Sequence, residues 1–257
     1  MNKEQLTDLD RLAVRERPAG QPVMHQDWGK LLFMHWRMDV RHLRTLIPER
    51  LTIDTFDGTA WVAITPFTMW DIRAFPPYLP PVPGLSSIHE LNVRTYVHLD
   101  NVPGVWFFSL DANSSVAVTA ARMFFHLPYY TAEMSLEQDD GTVVYSSRRT
   151  DKDANAAELD ATWQTGETLP YSHPGSLEFF LTERYLLYSA HRQKLYRARI
   201  HHEPWPLRTA EVLALDDGLV AAAGLGDLAR RPPDHVVFSD GVEARFGLPG
   251  PATRPRR

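Results

Sequence analysis

The sequence predicts one mostly β domain in which an antiparallel sheet forms a closed or cone-shaped β-barrel, with a few short helices. Three observations support this fold class. About ten short segments carry the alternation or apolar enrichment of strands, helical patterns are few, and turn signals separate neighbouring strands. The 257 residues, 44% of them hydrophobic, suffice to bury one large core. We expect one domain over residues 1–257, with a polar lead-in at 1–27 and a frayed tail at 248–257.

The predicted strands are separated by turn sequences. Asp57-Gly58, the stretch Asn101–Gly104 and Asp139-Asp140-Gly141 each lie between apolar or alternating runs and predict hairpins. The segment 154–162 fits either a strand or a helix. The predicted strands are Gly29–Arg37, Thr52–Phe56, Thr59–Phe67, Glu90–His98, Gly104–Asp111, Thr131–Gln138, Thr142–Arg149, Lys194–His202, Thr209–Leu215, His235–Ser239 and Val242–Phe246.

Four helices are predicted from caps and spacing. Asp39 is suited to cap a short helix that stops before Pro48, and Ser114 or Ser115 to cap another that runs to Phe125. A third is predicted around Gln5–Val14. Ser176 precedes apolar residues at helical spacing, which predicts the longest helix, Leu177–Ala190. The proline-rich segment 75–84 is expected to be an extended loop packed on the domain.

Composition narrows the classes of function. The formal net charge is −5, which argues against a general role in binding nucleic acid or an anionic membrane. The chain has no cysteine, so disulfides and thiolate chemistry are excluded. The start of the sequence lacks a signal-peptide pattern, and no run reaches about 18 apolar residues, so we expect a cytoplasmic protein. No cofactor or metal is expected, and homo-oligomerisation is left open.

The strand Glu90–His98 alternates strictly between apolar and polar positions. In a half-solvated sheet its polar face would simply be wet, whereas in a closed barrel that face would point into the lumen. There the carboxylate of Glu90 and the guanidinium of Arg94 would pair and could hold a small polar ligand. The residues of the polar face are Glu90, Asn92, Arg94, Tyr96 and His98.

Several motifs together resemble the YqjF-like family of uncharacterised bacterial proteins, which contain domain of unknown function 2071. The resemblance covers nearly the whole chain, and no single motif would carry it. The motifs are Phe33–Trp36, Asp54–Gly58, Glu90–Val97, Gly104–Ala112, Leu127–Tyr129, Thr182–Tyr185 and His202–Trp205.

That family in turn resembles the acetoacetate decarboxylase superfamily, which implies the barrel fold. The decarboxylase carries an arginine followed several residues later by a Gly-aromatic-Pro-Lys-Lys run. Arg122 and Pro128 match this layout, but Tyr129 and Tyr130 stand where the two lysines would be. Glu90 resembles a glutamate of the decarboxylase's preceding sheet.

The tyrosines change the chemistry that the resemblance implies. Schiff-base decarboxylation needs an amine, and a tyrosine hydroxyl cannot form an imine, although it can donate a hydrogen bond or act as an acid or base. The sequence has four lysines. Of these, Lys30 and Lys194 are the candidates for supplying an amine from another strand.

Three further clusters have mainly structural interpretations. His201 and His202 are neighbours in a strand and should face opposite sides, which argues against joint metal binding. Strand alternation would point one of Arg148 and Arg149 inward, but a solvated pair is the preferred interpretation. Glu183–Arg184 is expected mid-helix as a structural ion pair.

Two hypotheses for function follow. In the first, the protein binds a small organic acid or carbonyl compound and acts as a lyase, hydratase or isomerase without a Schiff base. Glu90 would be the acid or base, and Arg94 and Arg122 would hold a carboxylate. Tyr129 would polarise a carbonyl or orient the ligand. In the second, the chain is a non-catalytic binding or interaction protein, and Glu90 and Arg94 form a structural pair. The ligand-binding candidates are Asn92, Arg94, Arg122, Tyr130, His202 and Trp205.

Overall fold

The computed structural model describes residues 6–17, 20–74, 87–152, 154–226 and 228–252. The proline-rich segment 75–84 lies outside these residues. Within them the chain forms one sheet of thirteen strands and five short α-helices. The prediction of a mostly β protein is confirmed.

The elements are numbered in chain order. The strands are β1 (Met24–Met38), β2 (Thr52–Ile53), β3 (Ala60–Ala74), β4 (Ser87–Leu99), β5 (Val102–Ala112), β6 (Tyr129–Asp139), β7 (Thr142–Arg149), β8 (Glu158–Thr168), β9 (Leu186–His191), β10 (Lys194–His202), β11 (Leu207–Asp217), β12 (His235–Phe246) and β13 (Gly250–Pro251). The helices are α1 (Asp8–Ala13), α2 (Val40–Arg44), α3 (Ser115–Phe125), α4 (Leu177–Thr182) and α5 (Leu219–Ala222), with a 3-10 turn at Leu228–Arg230.

The strand order of the sheet is β13-β10-β9-β5-β6-β7-β8-β11-β12-β1-β3-β4-β2. Two further pairings, β4 with β5 and β10 with β12, join strands that are far apart in this order. Strand β5 therefore has three neighbours. Its pairings with β6 and β9 are parallel, and the other pairings are antiparallel.

The predicted helix at 177–190 is wrong in its second half. Helix α4 ends at Thr182, and β9 follows within four residues. Residues 186–189 are buried and pair with β10, and Leu187 and Tyr188 also pair with β5. A short run that is apolar on every side fits a buried strand as well as a helix, so spacing alone could not decide between them.

Two predicted turns also differ from the structure. The chain turns at Asp100 and Asn101, which both have left-handed φ (50° and 61°), as a two-residue hairpin loop requires. Gly104 therefore lies inside β5 rather than in the turn. Of the hairpin predicted around Asp57-Gly58, one bridge between Phe56 and Thr59 remains, because β2 pairs with β4 instead of β3.

The alternation predicted for β4 is confirmed. Leu91, Val93 and Val97 pack in one hydrophobic cluster with alternate residues of β1, β3, β7 and β8. Tyr96 belongs to a different cluster, which includes residues of β5, β9, β10 and α4. The polar positions of β4 therefore lie on the second side of the sheet, where helix α4 also packs. We call this side the inner face of β4.

In the part of the chain that the structure describes, no helix has the length and apolar character needed to cross a membrane.

Candidate functional site

Glu90 and Tyr129 meet on the inner face of β4. Their approach follows from strand register, because Asn92 of β4 pairs with Leu110 of β5 and Leu110 pairs with Tyr129 of β6. The Tyr129 hydroxyl donates to Oε2 of Glu90 over 2.5 Å. The side-chain amide of Asn92 donates to Oε1 over 3.4 Å. Both oxygens of the carboxylate therefore have protein partners.

Burial changes the acidity of this pair. Glu90 is 4% exposed, and burial raises the pKa of its carboxyl from 4.5 to about 7, although hydrogen bonds from Tyr129 and Asn92 and the charge of Arg94 oppose the rise. Burial and the adjacent Glu90 charge raise the pKa of Tyr129 well above its ordinary value. Glu90 can therefore lose and regain a proton near neutral pH, while Tyr129 stays protonated.

Arg94 lies two positions beyond Asn92 on the same inner face. The side chains that bind the Glu90 carboxylate are Tyr129 and Asn92, so the predicted ion pair of Glu90 with Arg94 is wrong. The guanidinium carbon of Arg94 is 5.4 Å from the centre of the Phe33 ring. Asn92 and Tyr96, which flank it on this face, are buried, whereas Arg94 is half-buried although β4 lies between β3 and β5. Its Nε is buried and has no hydrogen-bond partner among the described residues.

His35 belongs to the same region. His35 of β1 pairs with Ala63 of β3, and Ala63 pairs with Arg94, so the three lie in one row across the sheet. His35 is fully buried. Burial, together with the nearby His235 and Arg94, holds its pKa well below the ordinary value.

Three more buried polar atoms near Glu90 and Arg94 have no hydrogen-bond partner among the described residues. They are Oδ1 of Asn92, Nε2 of His35 and Oγ1 of Thr65, which pairs with Asn92 across the sheet. An unpartnered buried polar group is costly, so such groups in a native protein call for a partner or a function. Here four of them, with Nε of Arg94, lie in one part of the inner face.

His202 and Trp205 form a wall beside this region. The His202 ring stacks on Tyr185, with ring centres 4.5 Å apart, and Trp205 packs edge-on against Phe33 at 5.2 Å. Burial lowers the pKa of His202 to about 4, so its ring is neutral at physiological pH. Its Nδ1 is 2.7 Å from the carbonyl oxygen of Glu203, and the Trp205 indole N–H donates to the backbone of Thr182 over 2.9 Å.

The family of the chain is decided by its sequence. The family model DUF2071, "Uncharacterized conserved protein", matches residues 25–243. The chain belongs to the DUF2071 family. A curated relative, "Uncharacterized protein YqjF" of Bacillus subtilis (strain 168), is 44% identical over 194 residues, which make up 76% of this chain and 78% of that protein. The resemblance to YqjF-like proteins is confirmed.

Solved structures support the fold of this DUF2071 protein. Acetoacetate decarboxylase from Legionella pneumophila matches with a TM-score of 0.59 at 11% identity, over 98% of both chains. The enduracididine biosynthesis enzyme MppR, complexed with pyruvate, matches with a TM-score of 0.53 at 13% identity, over 90% of both chains. At these identities the likeness concerns the fold alone, and it confirms the predicted resemblance to acetoacetate decarboxylase.

Arg122 and Tyr130 do not share the environment of Glu90. The Arg122 guanidinium donates to the backbone carbonyl of Tyr129 over 2.7 Å and to Asp151 over 2.5 Å, and its side chain is 45% exposed. The Tyr130 ring lies under the guanidinium of Arg149, 4.1 Å from its centre. In the DUF2071 fold these contacts make Arg122 a support for the start of β6.

Two lysines were candidates for supplying an amine. Burial of His89 lowers the pKa of its ring, and the charge of Lys30 lowers it further, so Lys30 lies near that ring. His89 points to the side of β4 opposite to Glu90, against Tyr145. Lys194 is exposed at the start of β10.

The sequence interpretation missed two buried ion pairs. Arg149 faces inward and binds Asp111, with a closest N–O distance of 2.9 Å, while Arg148 is exposed and binds Glu133. The preferred solvated pair is therefore wrong. Glu183 and Arg184 do not pair with each other, and they follow the end of α4 instead of lying within a helix. Arg184 binds Asp54 over 2.7 Å. Strand alternation at 148–149 indicated that one of these arginines could face inward toward a partner. No local pattern indicated the pair of Arg184 with Asp54.

One cluster of possible metal ligands and one surface cavity lie elsewhere in the described residues. His25, Asp27 and Asp71 bring three possible ligand atoms within 4.8 Å of one another, but His25 already contacts both carboxylates and Asp71 binds Arg73. A surface cavity of about 410 Å³ is bordered by Arg122 and by residues 126–128, without Glu90 or Arg94 in its wall. We place the candidate site on the inner face of β4, since four buried unpartnered polar atoms lie there beside Glu90, the carboxyl with the raised pKa.

Proposed function

We propose that this DUF2071 protein binds a small carboxylic acid or carbonyl compound against the inner face of β4 and catalyses proton transfer on it, without a Schiff base. One observation carries the proposal: Glu90, with a pKa raised to about 7, lies on the same face of β4 as Arg94, whose buried Nε has no partner among the described residues. A proton acceptor and an anion-binding group are thus held on one face of a strand.

The proposal includes a closed barrel with this face pointing inward. The pairing of β4 with β5, in addition to the order of the sheet, supports closure. Burial of Glu90, Asn92 and Tyr96 on a polar strand face supports an inward direction. The half-buried Arg94 would border the space that the ligand occupies.

The chemistry assigns a role to each group. Arg94 would bind the carboxylate or the carbonyl oxygen of the ligand through charge-assisted hydrogen bonds. Glu90, as carboxylate, would remove a proton from the carbon next to the carbonyl, and the electron pair of the broken C–H bond would move to the carbonyl oxygen near Arg94. Glu90 then returns the proton to the ligand. Isomerases, hydratases and lyases that form an enolate by removing this proton share the first step.

The positions of Tyr129 and Lys30 support chemistry without an imine, and the fold supports the class of ligand. Tyr129 stands in the position that resembles a lysine of the decarboxylase run, and its hydroxyl is bound to Glu90. Lys30 lies near the opposite face of β4. MppR, which shares the fold, has been solved in complex with pyruvate, a 2-oxo acid of the size and charge that we propose for the ligand here.

The experiment follows proton exchange directly. Pyruvate is incubated with the protein in D₂O, and loss of the methyl proton signal is followed by NMR. We expect exchange above the buffer rate, its loss in Glu90→Gln, and a raised pyruvate requirement in Arg94→Met. The exposed Glu137→Gln and Arg41→Met are matched controls. Exchange that persists in Glu90→Gln, or a borohydride-trapped adduct on Lys30 or Lys194, would contradict the proposal.

A non-catalytic binding protein is the second candidate. The two hydrogen bonds that Glu90 accepts, from Tyr129 and Asn92, favour it, since they resemble a structural network. In that case Glu90→Gln and Arg94→Met would lower the melting temperature strongly and by the same amount with and without pyruvate, and wild-type protein would show no exchange.

A further inference from the structure

A second cavity, of about 480 Å³, lies where β10 and β12 meet the segment after α1. Arg197, Arg199 and His201 are alternate residues of β10, so their side chains follow one another on one face about 7 Å apart. Arg245 pairs directly with His201 across the β10–β12 ladder. Arg17 borders the cavity from the lead-in. We call this cavity the basic groove.

The charge of the basic groove is one-sided. Four arginines and one histidine line it, and no carboxylate is among its described lining residues. Arg245 is bound to Glu243, but Arg17 and Arg197 have no described carboxylate within 4.0 Å. The protein as a whole has a formal net charge of −5, so this concentration of positive charge is local.

The groove is also held in place. The Arg199 guanidinium donates to the backbone carbonyls of Val14 and Glu16, each over 2.8 Å, which ties the lead-in to β10 and brings Arg17 to the groove. Nδ1 of His201 is buried without a hydrogen-bond partner among the described residues. Neighbouring like charges are costly unless an anion offsets them. Burial and Arg197 lower the pKa of Arg199, and the charge of Glu16 opposes this only in part.

We propose that the basic groove binds a small phosphorylated metabolite, at a site separate from the inner face of β4. The planar guanidinium groups of Arg17 and Arg197 match the geometry of phosphate oxygens. Phe246, Leu248 and Pro251 also line the groove and offer apolar contact to the organic part. A volume of about 480 Å³ is that of a small-molecule site, and the net negative charge disfavours a long nucleic acid as the occupant.

The test is calorimetric titration of the full chain at low ionic strength. The probes are sodium pyrophosphate, glucose 6-phosphate, glucose and a short single-stranded DNA. We expect both phosphates to bind and glucose to be silent. Arg197→Met and Arg17→Met should each weaken binding by about tenfold. Gly250→Glu should weaken it similarly, because Gly250 lines the groove and a side chain there has open space.

Two control variants test whether binding depends on the arginines of the basic groove. Arg41→Met removes an arginine whose side chain is 92% exposed and paired with Asp39, and it should leave the affinity for pyrophosphate within about twofold. Arg94→Met should also leave it unchanged, which separates this site from the proposed function. Equal affinity of Arg197→Met and wild type, silence of both phosphates, or binding of the DNA alone would overturn the proposal.

Discussion

Asp54 and Arg184 form a buried ion pair of 2.7 Å, and Asp54 accepts a second bond of 2.7 Å from Arg11 of α1. The Asp54 carboxylate thus forms ion pairs with two arginines that are far apart in the sequence. Asp54→Ala leaves both guanidiniums buried without this partner, so we expect a loss of about 3–5 kcal/mol in the free energy of unfolding. Urea denaturation measures it, with Asp240→Ala, an exposed partner of Arg208, as control. A loss no larger than the control's would contradict the role of Asp54.

The Tyr129→Phe variant tests the hydrogen bond to Glu90. That bond lowers the pKa of the carboxyl, so its removal should move the pKa of Glu90 above 7 and cost about 1–3 kcal/mol of stability. The carboxyl ¹³C signal of Glu90, titrated by NMR, reports the pKa. Tyr171→Phe, at an exposed tyrosine, should leave it unchanged. An unchanged Glu90 pKa in Tyr129→Phe would show that the bond is not formed in solution.

The pH dependence of stability should carry a signature of Glu90. Its folded-state pKa is raised from 4.5 to about 7, so folding favours the protonated form. The stabilising contribution is therefore fully present below pH 4.5 and is lost as the pH rises through 7, by up to about 3 kcal/mol.

Glu90→Gln isolates this contribution, because other groups that titrate in the same range remain in both proteins. The difference in unfolding free energy, wild type minus variant, should fall between pH 4.5 and 7. His202, with a pKa lowered to about 4, acts in the opposite direction and cancels in the difference. Parallel stability curves for the two proteins would show that the carboxyl is not perturbed.

Gly104 should not tolerate a side chain. A Cβ there would lie 2.7 Å from the carbonyl oxygen of Leu186 and 2.8 Å from its Cδ2, because β5 and β9 approach closely at this point. Gly104→Ala should therefore destabilise the protein by about 1–3 kcal/mol in thermal or urea unfolding. Gly250→Ala, with no neighbour within 4 Å, should be nearly neutral. Equal stability of the two variants would rule out the close approach.

The role of Gly104 also shows where prediction from the sequence ends. The pattern Asn101–Gly104 resembles a turn, but the glycine serves contact with a strand more than eighty residues later. Alternation at Glu90–His98 correctly predicted which residues of β4 share a face, since a period of two is a local property. Similarly, the segment 186–190 is a strand because it pairs with β5 and β10. No pattern within the segment itself predicts these partners.

The candidate site, too, could be predicted from the sequence only in part. Glu90, Asn92 and Arg94 could be grouped because they share one strand. His35 joins them only through β3, which lies between β1 and β4. Arg122 was grouped with them by motif, yet in space it binds Asp151. Side chains brought together by register between distant strands need the topology, which a single sequence does not provide.

The three-way pairing of β5 also sets an order of events during synthesis. Its hairpin with β4 can form as soon as both strands leave the ribosome, but its second edge waits for β6 and β9. Likewise β1 obtains its partner β12 only after the intervening strands have been synthesised. Until then the nascent chain exposes unpaired strand edges, which are templates for aggregation. Chaperones that cover these edges should therefore raise the yield of folded protein.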